Sequence, residues 1–379
     1  MAVMERWEAI IVGAGPAGCA AAFDLAAAGR AVLLLDRAEF PRHKACAGGL
    51  TRKSLRALRY SVAPVVRETR STIIVESHRG DAAILGSRTA VCAMTVRQEL
   101  DAFCLQQTLA AGAQFCRIGS ILAIEETDAD VLLRTADGSF RGRFLVGADG
   151  VHSRVRQLVQ GQSPCWLRRG FALETQVHSA GSNSADLVFD LAPVTHGYAW
   201  IFPKRDHLNV GLYSVSAAEK LDRSRLSRYI GKRFGDTCAD GVTGQFLGFG
   251  AEDAPLVRSR VFLAGDAGGF ADPLTGEGIH GAIASGQAAA AAIDAGLKGQ
   301  PAYRTFAALT APLLRDLRLS ASGARWFYGN PDLGFRALTT PVFRGAVINA
   351  YANGTKIAAL ASAIRRFARV CTAGAPLGM

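Results

Sequence analysis

The stretch AIIVGAGPAGCAAAFDLAAAGRAVLLLDR, residues 9–37, leaves few folds open to this chain. Ile10, Ile11 and Val12 form a short apolar run of the buried-strand kind. Gly13, Gly15 and Gly18 follow in a G-x-G-x-x-G spacing, an alanine-rich helix extends to about Ala28, and Val32 to Leu35 make a second strand that ends in Asp36. Each glycine has a steric reason: Gly13 makes the turn, Gly15 lets a pyrophosphate approach the backbone at the helix N-terminus, and Gly18 lets helix and strand pack closely. Asp36, roughly 20 residues beyond the turn, is placed to hold a ribose hydroxyl. The glycine pattern alone is weak evidence. With strand, helix and acid in their places it predicts a dinucleotide-binding α/β unit, without separating NAD from FAD. A membrane span over Ala9 to Leu35 is excluded by the interruptions at Gly13, Gly15, Pro16, Asp24 and Arg30.

Two later stretches repeat the strand-then-turn logic. FLVGADGVHSRVR (144–156) starts as a buried strand and turns through Gly147-Ala148-Asp149-Gly150 towards a helix start. SRVFLAGDAGGFADPLTGEGIHGAIASGQAAAAAI (259–293) runs from a strand at Val261 to Ala264 through Gly265-Asp266 and a loop containing Pro273 into an alanine-rich helix from about Gly278. Asp266 at a strand end can bond a ribityl hydroxyl, and the amides of Thr275 to Gly278 can stabilise negative charge on a reduced ring. Either stretch by itself also fits a well-capped turn between strand and helix. Three such turns in one chain make that reading much poorer.

Together the three motifs are similar to the FAD-binding motifs of the glutathione-reductase-2-type flavoproteins, which include aromatic hydroxylases, flavin halogenases and geranylgeranyl reductases. The resemblance covers about residues 8 to 300. It implies an α/β fold: an FAD-binding Rossmann-like domain, an inserted and mostly antiparallel β-sheet substrate domain, and a helical C-terminal region. It also implies that Gly13, Gly15, Ala17, Gly18, Asp36, Arg37, Lys44, Cys46, Ala47, Asp149, Gly265, Asp266, Pro273, Gly276, Gly278 and Ile279 form the cofactor site. Arg97, which opens VRQELDAFCLQQTLAAGA, matches the arginine that touches the cofactor in that family.

Within the family, PLTGEGI (273–279) and the run Tyr198-Ala199-Trp200-Ile201-Phe202-Pro203 resemble the geranylgeranyl reductase branch. The surrounding residues Val188, Tyr198, Trp200, Phe202, Val210 and Leu212 alternate with smaller or polar neighbours, which predicts a sheet with one face covered. Such a sheet above the flavin would offer an aromatic slot to an apolar substrate, with Tyr198 and Trp200 facing it; both residues fit equally well as core aromatics. Lys44-Ala45-Cys46-Ala47-Gly48-Gly49-Leu50 is similar to the KPCGGGL loop of that branch, with alanine replacing the proline at 45 and the first glycine at 47. Cys46 would lie near the reacting centre as a small residue, a proton donor or a redox-sensitive thiol. Arg42, His43 and Lys44 would then make it more reactive.

Two domains suit a chain of 379 residues. The FAD unit is expected from 1–60, 95–165 and 255–305, the substrate sheet from 61–94 and 166–254, and a helical region from 306–379. ILAIEETDADVLLRTADGSFRGRFLVG (121–147) predicts a β-meander turning at Asp128 and at Ala136-Asp137-Gly138. The cysteines at 19, 46, 92, 104, 116, 165, 238 and 371 show no CxxC and no metal-ligand spacing with histidine, and no secretory segment is evident, so a reduced, cytoplasmic, metal-free protein is expected. The excess of 43 Lys+Arg over 32 Asp+Glu gives +11. With no arginine-rich block or nucleic-acid motif, that charge describes a solubilising surface welcoming an anionic small molecule, an acidic protein or an anionic membrane surface. LLRDLRLSASGARWFYG and IAALASAIRRFARV have apolar residues at helical spacing and arginines opposite. They fit packed helices, with peripheral membrane contact as the alternative.

The resemblance therefore implies an FAD-dependent oxidoreductase that hydrogenates C=C bonds of a prenyl-type substrate, with NAD(P)H as electron donor and Cys46, Tyr198 and Trp200 as catalytic candidates. The alternative is an FAD monooxygenase or halogenase-like tailoring enzyme acting with O₂ on an aromatic, peptide-borne or carrier-borne substrate. A flavin redox sensor built on Cys46 is a third, non-enzymatic class.

Overall fold

A computed structural model describes residues 6–161, 166–178, 186–235 and 239–354 of the protein. Its central sheet places parallel strands in the order Val261–Leu263, Gly138–Gly147, Arg6–Val12, Val32–Asp36 and Gln114–Arg117, with Val257–Arg258 antiparallel at one edge. Strands buried on both faces need near-continuous apolar runs, and Ile10, Ile11, Leu34, Leu35, Leu145 and Val146 are all fully buried. The predicted meander is present: Ile121–Glu126, Val131–Thr135 and Gly138–Gly147 pair antiparallel. Helices Pro16–Ala27 and Ile279–Leu297 pack on one another, their alanines permitting close approach, and Arg97–Ala110 flanks the first of them.

The second sheet runs in the order Ala239–Phe249, Arg168–Val177, Leu208–Ser214, Gly197–Pro203, Leu187–Asp190, Thr72–Glu76 and Ala82–Gly86. Every pairing in it is antiparallel except Leu187–Asp190 with Thr72–Glu76. The stretch 61–94 is divided: Val66–Arg70 and Cys92–Thr95 join Gly49–Thr51 in a separate three-stranded sheet.

The expectation of one covered face is corrected by the register. Val188 lies opposite Ile201, and Ile201 opposite Val210. That set joins Leu212 against helix Arg223–Phe234 through Leu226, Tyr229 and Ile230. Tyr198, Trp200, Phe202 and Tyr213 occupy the other face with Leu247 and Phe249 and are covered by Ala324, Tyr328 and Ile348. Side chains alternate strictly along a strand, so the valines and the aromatics belong to opposite faces, and both faces are buried.

Helix Ala302–Gly329 ties the layers together. Phe306 and Leu317 enter the core beneath the central sheet, whereas Ala324 and Tyr328 enter the aromatic core of the second. Helices Pro331–Thr339 and Pro341–Asn353 follow. No helix among the described residues is long and apolar enough to cross a membrane. Cys165, Cys238, Cys371 and the stretch IAALASAIRRFARV lie outside the described residues.

Candidate functional site

A cavity of about 1050 Å³ runs from the first glycine turn to the second sheet. Gly13, Gly15, Ala17, Asp36, Arg37 and Asp149 line one end, and Lys44, Cys46, Ala47, Arg97, Asp266, Gly276, Gly278 and Ile279 line its middle. Gly18, Gly265 and Pro273 lie behind the wall. A Cβ on Gly18 would come 1.7 Å from the Gly13 carbonyl oxygen, so this glycine serves packing of the turn. Gly15 is different: a Cβ there would point into space, with only Arg42 Nη2 within reach at 3.7 Å. No side chain caps the N-terminus of helix Pro16–Ala27, so its first amides are left for an anion. This cradle fits a dinucleotide diphosphate, and the same cavity continues past it to Lys44, Cys46 and Asp266.

The acids of the site are held in different ways. Asp36 accepts from the amides of Ala14 at 2.6 Å and Ala38 at 2.8 Å, which fixes it at the strand end. Asp149 takes the Ser153 hydroxyl at 2.5 Å and the amides of Arg154 and Val155 at 2.6 and 3.1 Å. Its carboxylate thus stabilises the start of helix Arg154–Gln160 from the cavity wall. Burial raises the pKa of Asp266, with Lys44 pulling against it.

The loop 272–279 is fastened from behind by phenols. Tyr198 donates to Thr275 O, Tyr213 to Pro273 O at 2.8 Å and Tyr328 to Leu274 O at 2.6 Å. Glu277 accepts from Thr51 at 2.6 Å and Ser54 at 2.9 Å and pairs with Lys53 at 2.7 Å. Burial pulls its pKa up, but the Lys53 ammonium holds it below the usual range. The backbone of Gly276 to Ile279 is thereby presented to the cavity on a rigid support.

The loop 42–49 faces it. Gly48 has φ +64°, and a Cβ there would lie 2.1 Å from Thr95 O; a Cβ on Gly49 would strike the Phe202 ring at 2.7 Å. The loop therefore lies directly on the second sheet. Lys44 donates to Gln245, and burial followed by the Arg97 charge lowers its pKa. Arg42 pairs with Asp101 at 3.1 Å, whose carboxylate Arg97 also grips in bidentate fashion at 2.8 Å. Arg97, Lys44 and Lys204 are the cations near Cys46, whose sulfur accepts from the Gly48 amide at 3.4 Å. Beneath the loop, Lys204 donates to Ala47 O, and burial lowers its pKa to about 8.

The far end of the cavity is aromatic. Phe189, Tyr198, Trp200, Phe202 and Tyr213 line it with Leu247 and Tyr351. Phe189 stacks edge-on to Tyr198, Phe202 and Tyr351 with ring centroids 5.1, 5.6 and 5.9 Å apart. Tyr198 and Trp200 line this end, and the Tyr198 hydroxyl donates to Thr275 O. Sequence reasoning missed Phe189, Tyr213, Tyr351, Glu174, Lys204 and Asp101. Phe202 shares the alternation that marks Tyr198 and Trp200, whereas Tyr213 joins them only through pairing with Tyr198; Asp101 stands one turn after Arg97, a spacing that signals an ion pair on a helix. Glu174, Lys204 and Tyr351 carry no local signal.

The FAD binding domain family matches residues 6–210. The chain belongs to this family. An uncharacterized protein of Methanosarcina barkeri is 31% identical over 347 residues, covering 88% of this chain and 87% of the relative. Menaquinone reductase of Mycobacterium tuberculosis is 29% identical, covering 78% of each chain. The crystal structure of a geranylgeranyl bacteriochlorophyll reductase-like protein from Thermoplasma acidophilum superposes with a TM-score of 0.80 at 20% identity, over 94% of this flavoprotein and 99% of the other. The fold is thus geranylgeranyl reductase-like, and the protein is an FAD-binding oxidoreductase.

Proposed function

We propose that the flavoprotein hydrogenates C=C bonds of an apolar, prenyl-type substrate, with NAD(P)H as the source of electrons. The observation that carries this reading is the continuity of one cavity, from a diphosphate cradle at Gly13 and Gly15 to a wall of Phe189, Trp200, Phe202, Leu247 and Tyr351. An isoprenoid chain presents flat, apolar surface, which aromatic faces cover well and which forms no hydrogen bonds. Reductase names among the relatives support the same direction.

FAD, when bound, supplies the hydride equivalent. The chain's own residues do the rest. Gly15 and the uncapped helix start would receive the diphosphate, Asp36 would hold the ribose, and Asp266 with the backbone of Gly276 to Ile279 would hold the ring end. Loop 42–49 supplies Cys46 and close backbone at Gly48 and Gly49, while the aromatic wall orients the alkene and excludes water. An anionic head group on the substrate would suit the basic excess, and the basic C-terminal region would suit peripheral contact with a membrane that carries prenyl lipid.

The test is an anaerobic stopped-flow experiment on protein whose flavin has been reduced. Rapid reoxidation by an unsaturated prenyl lipid, with sluggish reaction towards O₂, is the expected result. Fast reoxidation by O₂ coupled to a hydroxylated or halogenated aromatic product would overturn it in favour of oxygen transfer.

A further inference from the structure

Glu174 stands out on the cavity wall. It lies in strand Arg168–Val177, opposite Gly211, and points to the same face as Ala172, which also lines the cavity. Only 6% of it is exposed, yet it has no ion pair, and its Oε2 has no hydrogen-bond partner among the described residues. The backbone N–H of Cys46 and the Asn209 side chain are the polar groups beside the carboxyl. The Asn209 Oδ1 accepts from Trp200 Nε1 at 2.6 Å, which leaves its NH₂ for Glu174. A buried carboxyl oxygen without a partner is costly.

Several other polar hydrogens along the cavity are committed. The phenols of Tyr198 and Tyr213 donate to Thr275 O and Pro273 O, the Trp200 indole to Asn209, and Lys44 to Gln245. Hydrogenation of an alkene needs a proton as well as a hydride, and the group that gives it must reach the substrate with an uncommitted O–H or S–H.

We propose that Glu174 is the proton donor of the reaction, its carboxyl group delivering H⁺ to the alkene carbon that does not receive the hydride. This rests on the reductase reading above. The C=C π bond is replaced by two C–H bonds, one made with the hydride pair from the reduced cofactor and one with the proton from Glu174. Glu174 is left as a carboxylate and regains its proton from water through the open cavity. Burial favours the protonated form of the carboxyl, against the neighbouring Cys46 N–H and Asn209 and the charges of His43 on loop 42–49 and Lys204 beyond strand Gly197–Pro203. The site therefore takes an uncharged alkene segment, since a carboxylate group of a substrate would meet the same buried acid.

The test compares the parent protein with Glu174→Gln and Glu174→Asp, all loaded with FAD. Infrared difference spectra recorded during a pH titration, with no substrate present, should show one protonated-carboxyl band in the parent that Glu174→Gln lacks. Alkene-dependent reoxidation of the reduced flavin should fall at least about 100-fold in Glu174→Gln, the usual scale of general-acid catalysis. Glu174→Asp should recover part of the rate with a displaced pH profile, which a merely structural role would not produce. Full flavin absorbance in each variant verifies folding. Parent-like alkene reduction by Glu174→Gln, or an unchanged carboxyl band, overturns the proposal and leaves the reductase reading standing. Failure of the parent to reduce any prenyl alkene removes both.

Discussion

Substituting Gly15 by alanine separates the cofactor role of the first turn from its structural role. Gly15 has φ −80° and ψ −173°, an extended conformation open to any residue. A Cβ placed there meets only Arg42 Nη2, at the ordinary contact distance of 3.7 Å. The protein without cofactor should tolerate Gly15→Ala and gain about 0.4–1 kcal/mol from reduced freedom of the unfolded chain. The bound diphosphate should not tolerate it. The methyl group occupies the approach to the helix amides, and loss of two charge-assisted hydrogen bonds at about 1.5–3 kcal/mol each gives about 3–6 kcal/mol. At about 1.4 kcal/mol per decade, FAD affinity should fall by roughly 10² to 10⁴. Titration of FAD into deflavinated protein, with thermal scans before and after loading, measures both quantities. Gly18→Ala is the contrasting variant: its Cβ would lie 1.7 Å from Gly13 O, so the protein itself should be destabilised. Parent-like FAD affinity in Gly15→Ala would refute placement of the diphosphate at this turn, and a large loss of stability without cofactor would refute the distinction between the glycines.

Asp101→Ala should cost about 3–5 kcal/mol in chemical denaturation, because it strands the buried Arg97 guanidinium and removes the partner of Arg42; a cost below about 1 kcal/mol would show that the pair is solvated. Lys204 gives a pH signature, since burial lowers its pKa from the ordinary 10.5 to about 8. Between those values the unfolded chain binds more protons than the folded one, so this residue's contribution to stability rises with pH through the window. The stability of the parent relative to Lys204→Met should climb between pH 8 and 10.5, and a flat difference would contradict the burial of a titrating amine.

The Gly15 prediction was accessible from sequence because its chemistry is local. Strand, turn and helix follow without a break from Ile10 to Asp36, and the sterics of each glycine depend on atoms a few residues away or on the ligand itself. The same holds for Asp266 and for the loop from Pro273 to Ile279, which the chain enters and leaves through a strand and a helix in direct succession. Arg97 was placed through resemblance, and its partner Asp101 one turn later was within reach of helical spacing.

The aromatic wall was legible only in part. Alternation identified Tyr198 and Trp200, but one strand's pattern cannot say which of its two faces meets which layer. Val188 was grouped with the aromatics until pairing with Ile201 put it on the opposite face. Cys46 could be put beside the reacting centre, whereas its basic neighbours in sequence could not be assigned partners, and Arg42 turned to Asp101.

By itself the sequence determined the cofactor unit, because a dinucleotide turn is built from consecutive residues whose spacing is dictated by backbone geometry. Tertiary structure alone decided the chemistry around the substrate. Glu174, Lys204 and Tyr351 lie on segments far apart in the chain and gain meaning only where strand register and helix packing bring them to the loop at Cys46. An acid or an amine on a strand is unremarkable in sequence; its burial, and the partner it lacks, exist only once the sheet has closed over it.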